Sequence, residues 1–371
     1  MRLSPLNQRR WRNFKANRRA LWSLIILGTL YVVSLFAELI ANENPLLVKY
    51  RGEYYTPFLN FYSERTFGGI SGTVAQYAVD EVQCLIVTGG VEDCFYEDPD
   101  ALIAEVRAEG TALGQPVDQP GWILWAPVPY SFTTIANTGG VAPSPPSAQN
   151  LLGTDDASRD VLARVIYGFR LSVTFALIVT ALNAVLGVAA GAVQGYFGGR
   201  TDLIFQRGIE LWGSVPSLYV IIILTAALGK SFWLLVFLMV LFGWTSLVGV
   251  VRAEFLRARN FEYIRAAKAL GVPDWQIMFR HMLPNAMVAT LTMMPFLVTG
   301  TIGGLAGLDY LGFGLPNSAP SLGALTRQAQ NNLHQPHLAW VAFFTFAIML
   351  SLLVFIFEGI RDAFDPRKTF R

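Results

Sequence analysis

The chain has 371 residues, of which 53% are hydrophobic and 15% charged, and its mean hydropathy is +0.43. That balance excludes a water-soluble enzyme and marks an integral membrane protein. A net charge of +2 gives no reason to expect a nucleic-acid partner.

Residues Met1 to Ala20 contain Arg2, Arg9, Arg10, Arg12, Lys15, Arg18 and Arg19 and no acid, and an apolar run follows from Leu21 to about Ala37. This predicts a first span with a cytoplasmic N-terminus, residues 1–40, instead of a cleaved leader. Residues 41–167 are polar, acid-rich and broken by Pro and Gly, so they read as an extracytoplasmic α+β insertion. The two cysteines, Cys84 and Cys94, bracket LIVTGGVED and have no metal-ligand spacing. Two β-prone arms around Thr88-Gly89-Gly90 predict a hairpin that joins the sulfurs in a disulfide, with two separate buried thiols as the alternative. Trp122, Trp125 and Tyr130 read as the core of this insertion, or alternatively as an interfacial aromatic patch.

Residues 168–358 form the transmembrane core. In the second span, Leu171 to about Gln194, Gly187, Gly191 and Gly195 recur every four residues and line one face, the pattern of closely approaching helices in lipid. Spans from Leu203 to Leu228 and from Phe232 to Val250 follow, joined by Gly229-Lys230-Ser231. A phosphate-binding loop would need glycine where Leu224 stands, so energy must come from another chain.

Between the fourth and fifth spans lies a polar loop, residues 252–285, whose stretch NFEYIRAAKALGVPDWQIMFRHMLPN runs from Asn260 to Asn285. Asn260 is the expected N-cap of a helix from Phe261 to Leu270, with Glu262 in its first turn and Gly271 as its left-handed stop. Pro273 and Asp274 predict a second helix reaching Met282, before Leu283-Pro284. Phe261, Ile264, Ala267 and Leu270 share one stripe and Arg265 and Lys268 lie off it, which predicts an apolar knob beside a charged flank.

The fifth span, about Ala286 to Leu305, carries Gly300, Gly303, Gly304 and Gly307, again read as close packing, here against a partner subunit. Asp309 to Pro336 reads as an outer loop, and the sixth span runs from about Leu338 to Phe357 into a tail, 359–371. Basic residues number seven before Ala20, six from Arg252 to Arg280 and four after Gly359 (Arg361, Arg367, Lys368, Arg371), while acids outnumber bases in the insertion. Both termini and the 252–285 loop are therefore expected in the cytoplasm. Glu38 and Glu358 are expected at the membrane interface. His281, His334 and His337 form no catalytic cluster.

Ala266-Ala267, Gly271 and Leu283-Pro284 have the spacing of the cytoplasmic E-A-A-x3-G-x9-I-x-L-P loop of ABC-importer permeases, and the chain resembles that family. Arg265 stands in place of the glutamate and His281 in place of the isoleucine. The resemblance implies a coupling helix that docks in a groove of a separate ATPase; an ordinary loop helix is the bland alternative. Leu152-Gly153-Thr154-Asp155 and Arg159-Asp160-Val161-Leu162 resemble the L-G-T-D-x-x-G-R-D-V-L motif of dipeptide and oligopeptide permeases, with Ser158 for the glycine. Asp155, Arg159 and Asp160 are read as a polar cap holding the loop, not as an active site. RGEYYTPFLNFYSERTFGG and PSPPSAQN resemble the Yej-type branch, which carries peptides and microcin C, although Glu81 to Gln119 extends beyond that branch's pattern.

The resemblance implies an all-α polytopic inner-membrane protein with the six transmembrane helices of a type I ABC-importer permease. It implies no enzymatic activity and no cofactor of its own, ATP being bound by two partner ATPases. A second homologous permease and an extracytoplasmic solute-binding protein complete the implied complex, with a peptide as substrate. Similar chains carry dipeptides, nickel chelates and glutathione. A secondary transporter is a rival reading, but Asp202, Arg207, Glu210 and Lys230 all fall near span ends.

Overall fold

The computed structural model describes residues 5–364, so Arg2, Arg367, Lys368 and Arg371 lie outside the described residues. In chain order the elements begin with helices α1 (Pro5–Ala16), α2 (Arg18–Leu35) and α3 (Ala37–Ile40) and strands β1 (Leu47–Tyr50) and β2 (Glu53–Tyr55). They continue with α4 (Asp80–Thr88), α5 (Pro99–Glu109), β3 (Thr111–Ala112), β4 (Gln115–Pro116), β5 (Trp122–Leu124) and the long α6 (Val161–Phe197). After these come α7 (Gly199–Gly213), α8 (Ser217–Leu228), α9 (Phe232–Gly243), α10 (Thr245–Ala258), α11 (Glu262–Ala269) and α12 (Asp274–Gln276). A π-type turn, Ile277–Met282, leads into α13 (Leu283–Tyr310), then α14 (Leu322–Asn331) and α15 (Pro336–Phe364). The chain divides into two compact units, Val33–Tyr167 and the remainder.

In the helical unit, the helices Arg18–Leu35, Val161–Phe197, Phe232–Ala258, Asp274–Tyr310 and Pro336–Phe364 are each long and apolar enough to cross a bilayer. The expected straight span from Leu203 to Leu228 is instead a bent pair: α7 and α8 meet at 63°. The cause is Pro216, which has no N–H for the helical ladder and disfavours helical geometry at Val215 before it. Gly187, Gly191 and Gly195 face α10. An added Cβ would lie 2.6 Å from the Trp244 carbonyl at Gly187, 2.8 Å from the Val248 carbonyl at Gly191 and 2.6 Å from the Arg252 carbonyl at Gly195. Backbone meets backbone there, which only glycine permits. Farther along the unit, Phe175 and Val179 of α6 pack with Ile221 of α8, Leu235 and Leu238 of α9, and Leu305 and Leu308 of α13.

The insertion is built on a three-stranded antiparallel sheet in the order β2-β1-β5, with Val48 paired to Tyr55 on one side and to Ile123 on the other. Its core joins Val48, Tyr50 and Phe67 to Val82 and Ile86 of α4, and Trp125 packs on it. Trp122 is 40% exposed, so only part of the GWILWAPVPY cluster is core. Cys84 and Cys94 form the expected disulfide, 2.02 Å, but not through a hairpin. Cys84 lies in α4, which ends at Gly89 with φ +78, and Cys94 lies in a short 3-10 turn, Glu92–Phe95. Two successive helical turns bring the sulfurs together, and LIVT is buried on both sides: Leu85 and Val87 pack with Leu102, Ile103 and Val106 of α5, while Ile86 joins the sheet core. Asp98 caps α5 by accepting from the Asp100 amide at 3.1 Å. On the exposed flank, the Glu105 carboxylate accepts from the Gly114 and Leu113 amides and the Thr111 hydroxyl at 2.9–3.1 Å. Those donors, the Gly114 amide foremost, hold its pKa below the usual carboxylate range.

Candidate functional site

Two of the residues proposed for coupling turn inward. Ile264 is fully buried, and with Ala267 it packs against Tyr196 of α6, Val251 and Phe255 of α10, and Ile277 and Met282 of the π turn. Phe261 and Leu270, expected on the same apolar stripe, are 41% and 83% exposed. The stripe therefore splits: its centre anchors α11 and its ends are left outside, where Tyr263, Trp275 and Phe279 are also exposed. Arg265 and Ala266 are exposed as well.

Asn260 does not cap α11. Its side-chain Nδ2 donates back to the Leu256 carbonyl at 3.3 Å, finishing α10, and Phe261 occupies the cap position with no side-chain bond. The stop at Gly271 is left-handed, φ +74, and the amides of Leu270 and Gly271 reach back to the Ala266 and Lys268 carbonyls at 3.0 Å. The second elbow helix does not end before Leu283-Pro284. It widens into the π turn that contains His281 and runs on without interruption into α13, where Pro284 occupies the first turn and needs no amide partner.

Four polar contacts hold this elbow in place. The Tyr196 hydroxyl donates to Asp274, and the Lys268 ammonium lies 4.2 Å from the centre of the same ring. The Asn285 side-chain amide donates to the Tyr263 hydroxyl at 3.0 Å. Arg252, at the root of the elbow on α10, holds Asp202 on α7 in a two-pronged pair at 2.5 and 2.6 Å. Sequence reading paired none of these residues, because each contact joins positions from 22 to 78 apart.

In the L-G-T-D region, Asp155 is fully buried and accepts from the Ala157 and Arg159 amides and the Arg159 side chain, all at 2.9 Å. Asp160 accepts from the Ala163 amide at 2.7 Å, where it starts α6, and from Asn150 at 2.8 Å. Asp155 also lies 3.4 Å from the Arg164 guanidinium on α6, and the Thr154 hydroxyl accepts from the Ser144 amide at 2.9 Å. Gly153 has φ +76, and Ser158, standing where the motif has glycine, takes φ +57.

A further carboxylate went unnoticed in the sequence. Asp309, 6% exposed at the end of α13, accepts from the Leu315 amide at 2.6 Å and the Ser321 hydroxyl at 2.5 Å. Gly312, with φ +82, and Gly314, which has no room for a side chain beside Asp309, let the GFGLP loop fold onto it. Gly304 meets Met239, whereas Gly300, Gly303 and Gly307 face open space.

Comparison with known proteins matches residues 183–370 to the family described as binding-protein-dependent transport system inner membrane component, and residues 4–57 to the N-terminal TM domain of oligopeptide transport permease C. The chain is 51% identical over 368 residues to the inner membrane ABC transporter permease protein YejE of Escherichia coli, covering 99% of each chain. It is 47% identical to the peptidoglycan transport system permease protein YejE of Agrobacterium fabrum, covering 99% of this chain and 95% of the relative. It is 34% identical to the oligopeptide transport system permease protein OppC of Bacillus subtilis, covering 64% and 77%. Among solved structures it is similar to one from the inward-facing MetNI methionine ABC transporter, 14% identical with a TM-score of 0.47, covering 55% of this chain and 97% of that one. A multi-pass helical body, an elbow between two of its spans and this extent of identity together place the chain in the family of binding-protein-dependent transport system inner membrane components, the ABC transporter permeases.

Proposed function

We propose that this chain is the permease subunit of an ATP-driven importer of oligopeptides or microcin C-like peptides, working across a bacterial inner membrane beside a second permease. Both termini and the elbow face the cytoplasm, where α11 docks on one of two separate ATPase subunits that bind and hydrolyse ATP. The insertion faces the opposite side, toward a solute-binding protein that delivers the peptide. Identity across nearly the whole length of two YejE permeases is the observation that carries this reading.

The mechanism rests on how α11 is held. Its outer ends, Phe261 and Leu270, meet the ATPase, while Ile264 and Ala267 sit in a core shared with α6, α10 and the base of α13. Interiors of this kind are close-packed, so a push on α11 moves those helices together and does not dissipate in the loop. The pair of permeases then alternates between outward-open and inward-open states. Gly300, Gly303 and Gly307, open within this chain, are the surface for the second permease.

The Agrobacterium relative's name favours a second reading in which the peptide derives from peptidoglycan. A deletion strain complemented with this gene separates the two. Restored growth on oligopeptides and restored sensitivity to microcin C support the first, and restored recovery of peptidoglycan peptides alone supports the second. Failure of all three rejects peptide import.

A further inference from the structure

The two-residue turn between β1 and β2 is Arg51-Gly52, with φ +48 and +82. Turns with two left-handed residues favour Asn-Gly, so an arginine at the first position is held at a conformational cost, a mark of functional sites. Its guanidinium lies over the end of α4 and 5.2 Å from the centre of the Tyr50 ring. The Nε donates to the Gly89 carbonyl at 2.8 Å, and the two η nitrogens have no acceptor among the described residues. Arg51 lines a cavity of about 520 Å³ inside the Val33–Tyr167 unit, between the 88–93 segment and the 112–119 strap. Asp93 lines it from the first and Asp118 from the second. Both walls are fixed. The Cys84–Cys94 bond closes the segment that leads to Asp93, and the Thr88 hydroxyl accepts from the Val91 amide at 3.3 Å. Gln119, next to Asp118, lies over the Arg51-Gly52 turn so closely that a Cβ on Gly52 would stand 2.3 Å from its Oε1.

Three ionic groups thus share one cavity, yet among the described residues none of them has an ion-pair partner. Their signs select the occupant. The two carboxylates oppose a simple anion, and the guanidinium opposes a metal ion, for which the described residues offer no cluster of three acidic, His or Cys ligands. A molecule with a carboxylate at one end and an ammonium at the other satisfies all three groups. Between the charges, Val91, Leu113 and Val117 supply apolar wall and the Gln115 and Gln119 amides supply donors and acceptors for peptide groups. Two or three residues in extended form span about 7–10 Å, a length that suits a cavity of this volume. We propose that the cavity binds a free di- or tripeptide, its α-carboxylate on the η nitrogens of Arg51 and its α-ammonium between Asp93 and Asp118. The inference rests on the charges of this cavity, not on which solute crosses the membrane.

The test is isothermal titration calorimetry of the full-length chain in lipid nanodiscs with three probes: trialanine, N-acetyl-trialanine and trialanine amide. The wild type binds trialanine about tenfold or more tightly than either capped peptide, since each cap removes one charged partner. Arg51→Gln binds trialanine and its amide alike while still rejecting the acetylated peptide, and Arg51→Lys keeps a preference for the free acid. Asp93→Asn with Asp118→Asn does the converse, binding trialanine and N-acetyl-trialanine alike while still rejecting the amide. No binding of trialanine by the wild type, equal affinity for free and capped peptides, or variants that weaken all three probes in the same proportion would overturn the inference. So would preferences unchanged by these substitutions, which would place the bound peptide elsewhere in the chain. The readout is equilibrium binding, so such a failure leaves peptide import to be judged by uptake alone.

Discussion

The hydroxyl of Tyr196, the penultimate residue of α6, donates to the carboxylate of Asp274, the first residue of α12, so the second span and the elbow share one bond across 78 residues of sequence. Tyr196 is 3% exposed, and Lys268 covers its ring. Tyr196→Phe keeps the ring and the cation above it and removes only the donor. The expected cost is about 1–3 kcal/mol of local stability, the range for a hydrogen bond to a carboxylate. Amide exchange across Asp274–Met282 checks it: faster exchange there, with exchange in α9 unchanged, is the expected result.

Gly191 and Gly303 are predicted to respond in opposite ways to the same change. At Gly191 a leucine meets the Val248 carbonyl at 2.8 Å and the Arg252 amide at 3.0 Å, so α6 and α10 must part, at about 1–3 kcal/mol or more. Gly303 has open space within this chain, and leucine there leaves the melting temperature of the purified chain unchanged while preventing co-purification of the second permease. Thermal melting and a pull-down of each variant measure both halves.

What could be read from sequence follows from how far each interaction reaches along the chain. The row Gly187, Gly191 and Gly195 is local, since four-residue spacing defines a helix face without knowing what lies on it. Spans are likewise local, being runs of apolar residues. The bend between α7 and α8 was in principle legible in Gly213-Ser214-Val215-Pro216, but the hydrophobic run on either side outweighed one proline. LIVT before Cys94 suits strand or helix equally, and the partners that bury it from two sides, α5 and the sheet, lie far off in sequence. The elbow's apolar stripe misled because periodicity says which residues share a face, not which end of that face another helix covers. Asp309 was hidden because its partners lie 6 and 12 residues away in a loop without periodicity.

The Cys84–Cys94 bond closes a short segment, 10 residues apart in sequence, between α4 and the following turn. Replacing both with serine is expected to destabilise the insertion by about 2–4 kcal/mol. Limited proteolysis is the check: cleavage appears between Thr88 and Pro99 in the double variant, and not in the wild type until reductant is added.

Glu105 gives the insertion a pH dependence of predictable sign. Its pKa is lowered by the Gly114 amide, then by the Thr111 hydroxyl and the Leu113 amide, so the ionised form is the one that holds the β3–β4 turn. A group depressed in this way contributes above its unfolded pKa and loses that contribution as pH falls through the folded value. The turn is therefore expected to be ordered at neutral pH and to loosen below the usual carboxylate range. Glu105→Gln removes the dependence, as amide exchange at Leu113 and Gly114 between pH 7 and about pH 3 would record.

The account depends most on what α11 touches. Leu270, 83% exposed at its end, can carry a photo-crosslinking benzoylphenylalanine without disturbing the core that holds Ile264. Irradiated in intact cells, this variant is predicted to form one covalent adduct, with the ATP-binding subunit. An adduct with the extracytoplasmic solute-binding protein, or labelling of Lys268 by an impermeant reagent added outside the cell, would contradict the account.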